Sequence, residues 1–306
     1  MQAVVFAAYG GPDVLETRAV PRPLPGPGQV RVRVRAAGVQ PADAKLRAGR
    51  PAGRAWPLPV RFPQMLGNEF AGAIDRLGPG ADEFAVGDEV LGWAVLSCYA
   101  EYVVVSPAQI VAKPPAMPWA VAGALSASGQ TAYAALQALN VGRGDTLLIH
   151  AAAGGVGSAA VQLARRHGAT VIGTASAANH DYLRGLGATP VAYGPGLVER
   201  VRALAPLGID AALDAIGDEA LVASVALGID RGRIGTLADP AAAERLGVRS
   251  LRTRRSLACL NELVELHGSG ALDVTVRRTY ALHEAAAAHR ELDSGHGRGK
   301  LVLLID

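Results

Sequence analysis

The segment HAAAGGVGSAAVQLA (150–164) holds the sharpest chemical signal in the 306-residue chain. An apolar stretch, DTLLIH (145–150), runs into a small-residue turn and then into a helical pattern. Written against G-x-G-x-x-G, the turn reads Ala152-x-Gly154-x-x-Gly157, with alanine in the first place. A glycine at 154 lets backbone approach a pyrophosphate, and one at 157 lets the helix pack close to the strand. The helix start offers unbonded N–H groups and the positive end of its dipole. Strand, turn, helix and a second strand (169–176) follow in order, the context this motif requires. Ala152, Ala153, Gly154, Gly155, Val156 and Gly157 are therefore expected to cradle a dinucleotide.

The second strand ends in Gly173-Thr174-Ala175-Ser176-Ala177-Ala178-Asn179-His180. An acidic residue here would bind a ribose 2′-OH and select NAD. None occurs before Asp181, so the spacing favours NADPH. Thr174, Ser176 and Asn179 are expected near the adenosine ribose and its phosphate, with His180 as a further donor. Helix capping is an alternative use of Ser176 and Asn179.

Two kinds of element must position this turn. Residues 1–115 read as short strands broken by Gly and Pro, as in PRPLPGPGQ (21–29). VRVRVR (30–35) alternates as a half-buried strand, with Arg31, Arg33 and Arg35 on the wet face. Residues 120–139 read as helical segments broken near Gly129. From 145 strands and helices alternate, which means a parallel sheet with crossovers. The order predicts an α/β chain with a β domain first and a strand–helix nucleotide domain after it.

Composition bounds the rest. Lys+Arg number 30 against 27 Asp+Glu, a net +3 that gives no case for nucleic acid or membrane partners. Two cysteines, Cys98 and Cys259, exclude a multi-cysteine zinc lobe and read as buried small apolar residues. MQAVVFAAYG lacks the basic start and long apolar stretch of a signal peptide, so a cytoplasmic protein is expected.

Taken with MQAVVFAAYGGPDVLE, PGPGQVRVRVRAAGV and RGKLVLLI, the turn resembles the medium-chain dehydrogenase/reductases. Within them it is similar to the zinc-independent quinone oxidoreductases and the related enoyl reductases. The resemblance implies a GroES-like β-barrel catalytic domain over 1–119 and 268–306, a Rossmann domain with a doubly wound sheet over 120–267, an active site in the cleft between them, and a homodimer. Where zinc-dependent members carry Cys and Gly-His-Glu, this chain has Gln40 and Gly67-Asn68-Glu69, so no metal is expected. The family's Asn-Pro-x-Asp is here Gln40-Pro41-Ala42-Asp43. Gln40, Asp43, Lys45 and Asn68 become the candidate catalytic residues, Gln40, Asn68 and Lys45 as donors to a developing oxyanion. Asp43 also reads as an exposed helix cap. Tyr99 reads as a core tyrosine. Thr131, Tyr193, Gly217, Leu237 and Lys300 are implied at the cofactor or the cleft.

The implied activity is NADPH-dependent reduction of a quinone or an α,β-unsaturated carbonyl. An enoyl-thioester reductase and a non-catalytic NADPH-binding protein stay open beside it. The arginines of GVRSLRTRRSL (247–257) read either as a solvated strand edge or as a grip on a phosphorylated substrate arm.

Overall fold

The computed structural model describes residues 1–50, 60–295 and 297–306. The described residues up to Ala127 and from Ser256 onward form one compact unit, and Ser128–Arg255 form a second. Beside the expected boundaries at 119/120 and 267/268, these divisions put helix Leu257–Gly268 in the first unit. Helix Trp119–Ala138 runs through the division without a break at Gly129. Eight of its twenty residues are alanine, and that helix propensity carries it past both Gly123 and Gly129.

The first unit is built on the strand Val30–Val39. It pairs antiparallel with Phe70–Leu77 on one side and with Lys300–Leu304 and Tyr102–Val105 on the other parts of its length. Val276–Ala281 extends this seven-stranded sheet at one end, and Glu89–Gly92 and Ile110–Ala112 at the other. A three-stranded sheet forms from Glu16–Ala19, Gln2–Phe6 and Gln64–Met65. Val30, Val32 and Val34 are fully buried, as alternation requires. Arg31 is not on the wet face. It is buried, with its guanidinium forked onto Asp75 at 2.9 and 2.8 Å and lying over the Tyr102 ring. A bidentate carboxylate and an aromatic face replace the water it gives up.

The second unit is a six-stranded, all-parallel sheet. Its order is Thr189–Ala192, Thr170–Ala175, Thr146–Ile149, Ala211–Asp214, Ile234–Thr236, Arg249–Ser250. Numbered by appearance, that is 3-2-1-4-5-6, the doubly wound order with its switch point between the first and fourth strands. Leu148, Ile172, Val191, Ala212 and Ile234 carry the core from strand to strand.

Candidate active site

In a doubly wound sheet, ligands bind at the carboxyl ends of the strands. The second unit brings most of the expected cofactor residues to that edge. Residues 150–154 follow the first strand, Thr174 and Ser176 end the second, and Tyr193 follows the third. Gly217 and Leu237 follow the fourth and fifth.

The turn is built from backbone. Ala151 takes φ +57, and its amide donates to the Thr174 hydroxyl oxygen at 3.2 Å. Thr174 is thus buried behind the turn. The two key glycines serve different ends. A Cβ at Gly157 would lie 2.3 Å from the Ala151 carbonyl oxygen and 2.7 Å from Ala152 Cα, so the fold itself demands glycine there. A Cβ at Gly154 would meet nothing closer than the same oxygen at 3.4 Å. The protein leaves that space unfilled at the N-cap of helix Gly155–Arg166. A dinucleotide pyrophosphate fits a cradle left open at a twelve-residue helix start.

Beyond the second strand, Asn179 donates to the Ser176 hydroxyl at 3.2 Å, and neither side chain caps a helix. His180 Nε2 is shielded from water and has no hydrogen-bond partner among the described residues. A donor left orphaned where the ribose is expected also fits a missing ligand. Tyr193 is half exposed, on a loop whose carbonyls are held by Arg200.

Sequence reasoning missed the hub of this edge, Asp214. It is fully buried and accepts from the amides of Ile216 and Gly217 and, at 2.5 Å, from the Thr236 hydroxyl. It thereby sets the loops carrying Gly217 and Leu237. The signal was present in LDAIG, an acid at the end of an apolar strand. Thr131 pairs its hydroxyl with that of Thr253 at 2.9 Å.

The first unit holds a different kind of site, made of buried side chains. Asp43 is fully buried at the third position of helix Pro41–Arg47, not exposed at its cap. It accepts from the Gln40 amide (3.1 Å), the Gly67 amide (3.1 Å), Asn68 Nδ2 (3.0 Å) and the Tyr99 hydroxyl (3.1 Å). Burial pushes its carboxyl up to about 6, against the pull of those donors and of Lys300. Tyr99 is a core residue, as expected, and burial beside Asp43 raises its phenol well above 10.0.

The network continues to residues not singled out in the sequence. His289 Nε2 lies 3.4 Å from the Tyr99 hydroxyl, and Arg47 Nη1 lies 2.9 Å from His289 Nδ1. Arginine only donates, so Nδ1 accepts and the ring proton sits on Nε2. Burial first, then the Arg47 charge, lowers His289 to about 3. Arg47 ends the chain on Asp293 at 2.6 Å.

Glu69 is equally buried. Lys300 Nζ lies 2.7 Å from Oε1, Gln40 Nε2 donates to the same oxygen at 3.0 Å, and the Ala127 amide donates to Oε2 at 2.7 Å. Gly38 makes room, since a Cβ there would fall 2.2 Å from Glu69 Oε1. Lys300, expected at the cofactor or the cleft, is therefore an internal counter-ion. Lys45 is half buried on helix Pro41–Arg47. Among the described residues, no cluster of three or more His, Cys, Asp or Glu could hold a metal ion. Cys98 and Cys259 are both buried, and burial pushes the Cys259 thiol up to about 12.

Two family models match the chain. Residues 26–115 match the alcohol dehydrogenase GroES-like domain and residues 186–303 the zinc-binding dehydrogenases. A quinone oxidoreductase of Pseudomonas aeruginosa is 32% identical over 98% of both chains. The chain belongs to the medium-chain dehydrogenase/reductase superfamily. Its place there is the quinone oxidoreductase and enoyl reductase branch, with a GroES-like domain followed by a Rossmann-like sheet.

The polyketide synthase GfsB of Streptomyces halstedii is 33% identical over 79% of this chain, which spans only 5% of that protein. The solved structure of mycobacterial Rv1454c complexed with NADPH is 30% identical, with a TM-score of 0.87 over 99% of this chain and 100% of that one. No helix among the described residues is long and apolar enough to cross a membrane.

Proposed function

We propose that this oxidoreductase transfers a hydride from NADPH to a quinone or an α,β-unsaturated carbonyl, without zinc. The observation that carries the reading is the open cradle at Gly154, a space the fold does not need and a pyrophosphate would fill. NADPH rather than NADH is supported by the lack of any acid over 173–180 and by the orphaned His180 Nε2. The NADPH complex of the mycobacterial relative supports the same choice.

The donor set argues against zinc. The positions of two expected ligands hold the amides Gln40 and Asn68, and the third carboxylate is paired with Lys300 at 2.7 Å. A catalytic zinc needs three good protein ligands and an open place. That set does not fit it, although one matching model is named for zinc-binding members.

When bound, the dihydronicotinamide supplies the hydride, to a ring carbon or the β carbon. The π pair of the substrate then moves to its oxygen, and a solvent proton completes the reduced product. Gln40 carries two N–H groups, one given to Glu69, and the other is assigned to that oxygen. Lys45 adds a cation to the same helix. Asp43 and Asn68 are buried and bonded to each other, so they serve as positioning residues that fix Gln40 and the 67–69 turn.

An enoyl-thioester substrate is a second reading, favoured by the match to the polyketide synthase. Homodimerisation belongs to the same proposal and is checked by sedimentation. Nicotinamide fluorescence tests the core of it. NADPH should bind clearly more tightly than NADH, and failure of both nucleotides to bind would sink the reading.

A further inference from the structure

Two loops follow the fourth and fifth strands of the parallel sheet, and one buried pair of side chains ties them together. Asp214 ends the fourth strand and Thr236 the fifth. The Asp214 carboxylate accepts from the Ile216 amide at 2.9 Å and the Gly217 amide at 3.0 Å, which folds the first loop back onto its own strand. The Thr236 hydroxyl accepts from the amides of Ala238 at 2.9 Å and Asp239 at 3.2 Å, which folds the second loop in the same way. Its one proton goes to Asp214 Oδ2 at 2.5 Å. A hydroxyl has one hydrogen and two lone pairs, so its whole bonding capacity is spent here. The backbone repeats the link, with the Leu237 amide donating to the Asp214 carbonyl at 2.9 Å.

This arrangement is held at a cost. Asp218, where the first loop enters helix Glu219–Ala226, is a non-glycine residue at φ +34 and ψ −104. Such strain persists where the surroundings over-determine the backbone, and it clusters at ligand sites. The place in the sheet says which part of a ligand the loops face. His150 after the first strand and Leu213 of the fourth still share a ladder bond at 2.9 Å. One residue further on, Ala151 turns towards the Gly154 cradle and Asp214 begins the other loop. A doubly wound sheet takes its dinucleotide at this switch point, one mononucleotide-binding half on either side. Ser176, Asn179 and His180 lie on the adenosine side, after the second strand. The loops after the fourth and fifth strands therefore face the nicotinamide half.

We propose that the Asp214–Thr236 bond is a latch that joins these two loops into one wall for the nicotinamide half of the cofactor. Both side chains are buried, so they are positioning residues that act through the loops they hold. The inference rests on the cofactor assignment under Proposed function and adds the residues that set where the nicotinamide lies.

The test uses the full chain with NADPH and with adenosine 2′,5′-bisphosphate, which is the adenosine half alone. Thr236→Val keeps the outline of the side chain and removes the hydroxyl, so Asp214, Ala238 and Asp239 each lose a bond. NADPH binding should weaken about tenfold, the scale of losing a buried hydrogen-bonding group. The rise in nicotinamide emission on binding should shrink as well. Affinity for the bisphosphate should stay within about twofold, because that half is bound at separate residues. Thr236→Ala carries the same expectations. Thr236→Ser keeps the hydroxyl and should return NADPH affinity and emission towards those of the original chain. A purely structural role would weaken both ligands together, in step with the urea midpoint, and that result overturns the latch. So does a valine variant that binds NADPH like the original chain, or a serine variant as poor as the valine one. Failure of the unaltered chain to bind NADPH would overturn the underlying reading and the latch with it, and the first titration registers that before any variant is compared.

Discussion

The two units hold their functional residues by opposite means. In the second, the turn proposed to hold a pyrophosphate is shaped by backbone and by side chains that are missing: at Gly157 the helix touches Ala151, and at Gly154 the fold leaves open space. In the first, Gln40 and the 67–69 turn are held by buried charged and polar side chains converging on Asp43 and Glu69. A backbone site tolerates change around it as long as the space is kept. A side-chain site has no such slack, because removing one partner leaves a buried polar group without solvent or bond.

The largest test of that contrast is Lys300→Met. It leaves the Glu69 carboxylate buried without its cation and should cost about 3–5 kcal/mol of stability, read as a lower urea midpoint. Adding Glu69→Met should return much of the loss. A single variant as stable as the original would mean that the pair does not hold the first unit.

Acid should strain both units through one buried histidine each. His150, bonded to Ser224, is lowered to about 4 and His289 to about 3, mainly by burial. In the unfolded chain both take up a proton near 6.5. Their contribution is therefore whole above that pH and drains away as the pH falls towards 4, on the order of 2 kcal/mol each by about pH 4.5. Asp43 acts in the other direction. Its raised pKa makes ionisation unfavourable to the fold above about 6, and stability is regained as it protonates below that. Urea midpoints measured from pH 7 to 4.5 should fall in the original chain. His289→Gln should flatten the fall, and Asp43→Asn should steepen it.

A smaller pair of changes sharpens the comparison inside the turn. Gly157→Ala forces a Cβ against backbone and should cost about 1–3 kcal/mol. Gly154→Ala should alter stability by no more than about 0.5 kcal/mol, yet weaken NADPH binding tenfold or more. If both lose affinity only in step with stability, Gly154 is not a ligand position. The smallest effect is expected from Gln40→Ala, a several-fold drop in kcat for one lost hydrogen bond of about 1 kcal/mol, partly recovered by Gln40→Asn.

The same contrast explains what could be read in advance. The turn, its strand and its helix occupy one continuous stretch, so spacing alone exposed them. The parallel sheet followed from alternation of strands and helices, and its doubly wound order from the family resemblance. Asp43 and Tyr99 share a network with Arg47 and His289, which alone lie 242 positions apart, and no local pattern joins the four. Lys300 was read by its neighbourhood in RGK, whereas its partner lies 231 residues earlier. Arg31 misled for a related reason: alternation assigns a face, but a carboxylate on the next strand decides whether that face is wet.

The Glu69–Lys300 pair also sets a timetable. On the ribosome, residues 146–175 emerge within moments of one another, and the turn can close as soon as its second strand is out. Glu69 must wait for a cation made 231 residues later, roughly 10–50 s at ordinary elongation rates. The half of the molecule that is translated first is thus the half that matures last, and until strand Lys300–Leu304 docks beside Val30–Val39 the nascent chain carries an unneutralised acid in its unfinished core.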